Sequence, residues 1–136
     1  MAALITVLAH GCFDVLHSGH ILHLREARTL GDELVVSITA SEYINKGAGR
    51  PYFTDTERKE NLEALRCVDR VIISHCAGPE WALRHVMPNI YVKGMEYAGR
   101  LKEQALVEEL GGRVVFLRHP KGSLIHSGQF DAPQMA

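Results

Sequence analysis

Ten residues near the amino end carry the densest chemistry in this chain: Gly11-Cys12-Phe13-Asp14-Val15-Leu16-His17-Ser18-Gly19-His20. They follow an apolar run, Leu4–Ala9, and lead into a segment where Ile21, Leu24 and Ala27 fall at helical spacing. A strand therefore hands over to a helix here, with Ser18 as its expected cap. His17 and His20 stand three apart and share one face of that helix. A helix N-terminus offers free N–H groups and partial positive charge, which suit an anion such as a phosphate. Gly11 lets backbone approach a ligand, and Gly19 removes a side chain that would crowd a phosphate. The pattern is neither the dinucleotide fingerprint nor a Walker loop. His17, His20 and His23 could suggest zinc, but no carboxylate or cysteine is spaced to complete a converging set, so no metal site is expected. Cys12 reads as a small buried apolar residue rather than a nucleophile. Asp14 either orients a neighbouring group or loop, or is a turn residue.

The elements that must hold this segment alternate between strand and helix. Leu34–Ile38 is a second strand, apolar on both faces as buried parallel strands are. The polar stretch Thr39 to Phe53 contains Lys46, Gly47, Gly49, Arg50 and Pro51, and loops of this length are often functional. Thr54 and Glu57 form a capping box that opens a helix to about Arg66. Val71–Ile73 is a short strand. Pro79 suits the first position of a helix that Pro88 closes, and Trp81 with Val86 reads as core packing. Ile90–Val92 is a fourth strand, Leu101–Leu110 a helix ended by Gly111-Gly112, and Arg113–Leu117 a fifth strand. Gly31 suits the stop of the first helix. The alternation predicts an α/β fold: a Rossmann-like, doubly wound, five-stranded parallel sheet with helices on both faces. Ligands of such sheets bind beyond the carboxyl ends of the strands. That rim collects His10–His20, the polar loop and Lys93–Tyr97.

One domain accounts for the 136 residues, with a short, polar, irregular tail from about residue 119. The net charge of −1 argues against nucleic-acid or anionic-membrane binding, and leaves room for a small anion held by a local cluster. Cys12, Cys67 and Cys76 are odd in number and lack C-x-x-C spacing, so a reducing, cytoplasmic setting is expected. The apolar start is short and lacks a basic flank or cleavage site, so it reads as a strand rather than a signal peptide. No apolar run approaches the ~20 residues of a membrane span.

Residues 11–20 read G-x-F-D-x-x-H-x-G-H, which resembles the signature of the cytidylyltransferase-like nucleotidyltransferases. Leu30–Val36 looks like that family's second strand. Lys46, Arg50-Pro51 and Glu57-Arg58-Lys59 resemble the loop and helix start of heptose-phosphate adenylyltransferases. Cys67–Val71 looks like the approach to the third strand. Tyr91–Tyr97 is similar to the V-K-G-x-D-Y segment of the same subgroup, with Glu96 in place of Asp. The likeness covers about residues 4–118. Where the family has a serine–threonine run that holds the triphosphate, this chain has Gly122–Gln129, with Ser123 and Ser127 as the candidates.

The resemblance implies an attack by a substrate phosphate oxygen on the α-phosphorus of an NTP, with loss of pyrophosphate. A phosphate monoester is already anionic, so positioning and charge neutralisation are the enzyme's tasks. His17 and His20 are then assigned to the phosphate chain and transition state, and Lys46 to the acceptor phosphate or the α-phosphate. Gly11, Cys12, Phe13, Asp14 and Gly19 would line or shape the nucleotide site. Arg58 and Lys93 would contact phosphate or substrate, and Gly94, Met95 and Glu96 would lie at ribose and base. Mg²⁺ would arrive on the NTP, and the family resemblance implies a homodimer. Adenylyl transfer from ATP to a sugar 1-phosphate of the heptose type is the leading expectation. The alternatives are CTP-dependent transfer to glycerol 3-phosphate or a similar polyol phosphate, and a non-catalytic nucleotide-binding module.

Overall fold

The computed structural model describes residues 3–118. The expected alternation is present: β1 (Thr6–Gly11), α1 (Ser18–Arg28), β2 (Glu33–Thr39), α2 (Asp55–Glu63), β3 (Arg70–Ser74), α3 (Glu80–Val86), β4 (Ile90–Gly94), α4 (Gln104–Glu109) and β5 (Arg113–Leu117). Short 3₁₀ turns at Ser41–Tyr43 and Met95–Tyr97 follow β2 and β4. All strand pairings are parallel, in the order β3-β2-β1-β4-β5. After β3 the chain returns to the other side of β1, so the strand order reverses between β1 and β4. The crevice beyond their carboxyl ends is the place where such sheets take ligands.

Side-chain alternation along β1 builds two cores. Val7 and Ala9 join Leu24 and Ala27 of α1 and Leu62 of α2 on one face. Leu8 joins Ala82 and Leu83 of α3 and Val107 of α4 on the other. Covered on both faces, β1 and β2 need the uninterrupted apolar runs seen in their sequences. No described helix is long and apolar enough to cross a membrane.

Several local expectations need correction. His17, not Ser18, is the N-cap of α1, because its ring rather than the Ser18 hydroxyl accepts from the Gly19 amide at 3.1 Å. Gly31 lies beyond the end of α1, which caps at Thr29. A Cβ on Gly31 would stand 2.7 Å from the Ile5 carbonyl, so close approach to β1 selects glycine there. Pro79 precedes α3 as its N-cap rather than occupying its first turn. The second and fourth helices stop or start within fewer residues than the apolar pattern suggests, since tighter turns occupy Ala64–Arg66 and Leu101–Glu103. Trp81 does not pack in the core. It is 42% exposed and stacks on His85, ring centroids 4.7 Å apart. The Thr54–Glu57 capping box is formed as expected.

Candidate active site

Between β1 and α1 the chain turns sharply at Phe13, a non-glycine residue held at φ 48°. Strained backbone of this kind tends to persist where surroundings over-determine it. The Phe13 ring folds back over Gly11, where a Cβ would sit 3.0 Å from Phe13 Cε2. Its edge meets the His20 ring at 5.3 Å. Gly11 thus leaves its side-chain space to the Phe13 ring.

His17 and His20 are half-buried and stacked, with centroids 3.9 Å apart and planes 23° from parallel. The same ring that caps α1 through Nδ1 therefore backs the second imidazole. Burial pushes the His20 pKa down to about 4, helped by His17, His23 and Lys46, while a backbone hydrogen bond at Val15 pulls it up. Lys46 is exposed on the loop after β2 and close enough to act on His20. Of the first expected cluster, His17 and His20 are in contact, and Lys46 is near enough to be felt electrostatically at His20.

The rest of the loop is held by two buried ionic residues. Asp14 is 2% exposed and accepts from the Tyr52 amide (2.7 Å), the Phe53 amide (3.0 Å) and Arg50 Nε (3.3 Å). This is the loop-orienting alternative for Asp14, and its expected place among the nucleotide contacts is corrected: both oxygens are spent on residues 50–53. Arg58 also departs from expectation. It is fully buried and donates to the carbonyls of Cys12 (3.0 Å), Thr39 (2.8 Å) and Phe53 (3.3 Å), to Ser41 Oγ (3.3 Å) and to Asp55 Oδ1 (2.6 Å). A guanidinium so enclosed ties the ends of β1, β2 and the loop to α2 instead of facing phosphate. The Cys12 carbonyl is part of this tie, and Gly19 is buried inside the first turn of α1.

Across the switch point, Lys93 at the end of β4 is largely buried. Burial pushes its pKa down, against the pull of Glu103 and Glu96 and of Cys12. Its Nζ stands 4.7 Å from the Tyr97 ring centroid. Gly94 is followed by the turn that folds Glu96 back, so that a Cβ on Gly94 would strike the Glu96 carboxylate. Glu96 and Met95 are exposed on that turn. Ser123 and Ser127 lie outside the described residues.

Sequence reasoning put His10 on this rim without giving it a role. His10 lies on the Leu8 face of β1, with Nδ1 2.6 Å from Ser37 Oγ and Nε2 3.4 Å from Thr39 Oγ1. Burial, then Lys93, push its pKa down to about 4, with Glu103 opposing. On the same side Tyr91 donates to Glu103 Oε2 at 2.8 Å. The period-two alternation of β1 was the available signal, since it puts His10 opposite the face that α1 covers. Among the described residues, no three His, Cys, Asp or Glu side chains are grouped to hold a metal ion.

A doubly wound sheet with imidazoles at the helix N-terminus beyond β1 and lysines on both sides defines a Rossmann-like α/β domain with a nitrogen-rich rim. Comparison with known proteins gives the particular class. The cytidylyltransferase-like family profile matches residues 8–127, and the chain belongs to that family. It is 43% identical over 119 residues to the bifunctional protein HldE of Streptomyces coelicolor, covering 85% of this chain and 26% of that protein. The HldE protein of Geotalea uraniireducens is 41% identical over 111 residues, 79% of this chain and 23% of its own length. The chain thus spans about a quarter of these curated relatives. Among solved structures, the lipopolysaccharide core biosynthesis protein of Thermoplasma volcanium is similar with a TM-score of 0.71 at 34% identity, over 88% of this chain and 98% of that one.

Proposed function

We propose that the chain transfers the adenylyl group of ATP to a sugar 1-phosphate of the heptose class and releases pyrophosphate. The observation that carries this reading is the convergence of the stacked His17–His20 pair with Lys46 at the N-terminus of α1, across the β1–β4 switch point from Lys93. The likeness to HldE proteins and to a lipopolysaccharide core biosynthesis protein favours a sugar phosphate as acceptor.

In this reading an acceptor phosphate oxygen forms the new bond to the α-phosphorus. The bond from that phosphorus to the bridging oxygen of the β-phosphate breaks, and pyrophosphate carries the electron pair away. No proton must be removed from the nucleophile. His17 and His20 donate to α-phosphoryl and leaving-group oxygens, where preorganised donors act best. Lys46 approaches from the loop and neutralises the acceptor or α-phosphate, and Lys93 bounds the opposite wall. Ser123 and Ser127 are the candidate triphosphate contacts from the tail. The donors of this rim are imidazole and ammonium groups, suited to phosphate oxygens. Mg²⁺ fits as an ion held by substrate phosphates and water, with charge neutralisation as its contribution.

The test is pyrophosphate release from each of the four NTPs with a panel of acceptors: heptose 1-phosphate, other sugar 1-phosphates and glycerol 3-phosphate. Turnover with ATP and a sugar 1-phosphate is expected. Turnover with CTP alone, or nucleotide binding without pyrophosphate release for any acceptor, would overturn it.

A further inference from the structure

We infer that the two imidazoles divide the work of gripping a polyphosphate: His17 is a fixed neutral donor, and His20 takes up a proton from solvent when the triphosphate binds. The inference rests on the nucleotide-binding part of the reading above.

A backbone amide can only donate. With Gly19 N 3.1 Å from His17 Nδ1, that nitrogen is the acceptor and carries no proton. A neutral imidazole then keeps its proton on Nε2, which makes His17 a donor of fixed tautomer. Protonating Nδ1 as well would break the cap of α1. The stacking adds a second constraint. Two imidazolium rings with centroids 3.9 Å apart, half out of water, would repel strongly, so the pair holds at most one cation. His20 is the member left to take it.

The His20 surroundings in the free protein offer that charge a backbone hydrogen bond at Val15 and no carboxylate among the described residues. Its Nδ1 is buried and has no hydrogen-bond partner among the described residues. Among the described residues, the groups that act on it are His17 at the cap of its helix, His23 on that helix, Lys46 on the loop after β2, and the Val15 backbone. The Phe13 ring packs edge-on from the β1–α1 turn. None of these is a carboxylate. Burial therefore holds the free ring neutral, its pKa depressed to about 4. A triphosphate laid on the N-terminus of α1 brings the missing negative charge, and the ring then gains a proton from the buffer and returns it when products leave. No bond to phosphorus is made or broken in this step. The pair would present one neutral and one cationic donor to the transition state.

Titration calorimetry of the full chain with a non-hydrolysable ATP analogue and Mg²⁺, at neutral pH in two buffers of different ionisation enthalpy, reads the proton directly. Wild type is expected to take up as much as about one proton per site, and its Kd to weaken by as much as ~10-fold per pH unit on the alkaline side. His17→Asn, which can still cap α1, keeps the uptake, and His20→Asn loses both uptake and pH dependence. In wild type, the ¹⁵N shifts of the His20 ring move to the imidazolium position on adding the analogue, a readout that needs no variant. Tight binding without proton uptake, or uptake that survives in His20→Asn, overturns the inference and leaves the nucleotide reading standing. Failure of every NTP analogue and of inorganic tripolyphosphate to bind overturns both.

Discussion

Asp14 and Arg50 meet across 36 positions of sequence, with Arg50 Nε 3.3 Å from Asp14 Oδ2 and both side chains almost wholly buried. This contact joins the segment that carries His17 and His20 to the far end of the loop that carries Lys46. The near end of the same loop is held where Asp55 accepts from the Ser41 amide at 2.8 Å and from Arg58 Nη2 at 2.6 Å. Between these anchors Lys46 and its neighbours are exposed. Gly47 and Gly49 there adopt φ of 103° and 77°, a region other residues rarely enter.

Asp14→Ala leaves Arg50 without its buried carboxylate and frees the amides of Tyr52 and Phe53. A loss of about 3 kcal/mol in stability is expected, the usual scale for breaking a buried pair on one side. Urea unfolding measures it. Steady-state kinetics on the folded fraction should show a lower kcat with Lys46 displaced, although the Asp14 oxygens are bonded to residues 50, 52 and 53. An unchanged kcat would sever the link between this anchor and catalysis.

Removing the His17 ring has two separable effects. His17→Ala loses the N-cap of α1, worth ~1 kcal/mol, and, in the proposed mechanism, a transition-state donor worth about 10²–10³ in rate. His17→Asn should recover most of the stability, because Asn caps well, and none of the rate. Thermal melts and pyrophosphate release on the two variants check this. Recovery of rate with stability would make His17 a cap and nothing more.

Arg58→Met should cost ~3–5 kcal/mol, because three carbonyls and Asp55 lose a common donor inside the protein. If enough variant folds at low temperature, its nucleotide Kd should stay within a few-fold of wild type. A selective loss of NTP affinity in a stably folded variant would instead return Arg58 to the phosphate site.

His10 gives a pH signature. Its folded-state pKa lies near 4, below the 6.5 of an unconstrained histidine, through burial first and Lys93 second. Between those values the unfolded chain binds more protons than the folded one. Stability is therefore full above pH 6.5 and falls as pH drops toward 4, by up to ~3 kcal/mol from this group. Burial depresses His20 to a similar value, and it adds to the same slope. Denaturant unfolding across that range should be flatter in His10→Asn than in wild type. An equal slope in both would remove His10 from the acid response.

Much of this organisation was legible in the order of residues. The apolar runs of β1 and β2, the capping box at Thr54 and the span of β5 each follow from contacts within a few residues or from burial on both faces. The spacing of His17 and His20 was enough to bring both rings together at the start of one helix, though not to show that His17 is its cap. Long-range partners were not readable there. Arg58 was expected at phosphate or substrate only through the resemblance of Glu57-Arg58-Lys59 to the family's helix start. Folding instead enclosed it among carbonyls from positions as much as 46 apart in sequence. Whether Asp14 was a turn residue or an anchor could be decided only once residues 50–53 were brought beside it. Trp81 read as core because helical spacing shows a stripe, not which way the stripe faces. The sequence by itself determined the strand–helix alternation and the place of two imidazoles at the start of α1, because these depend on local periodicity and residue type. Only the tertiary structure decided which charged groups face solvent and which are consumed inside, because that depends on partners the chain brings together when the sheet closes.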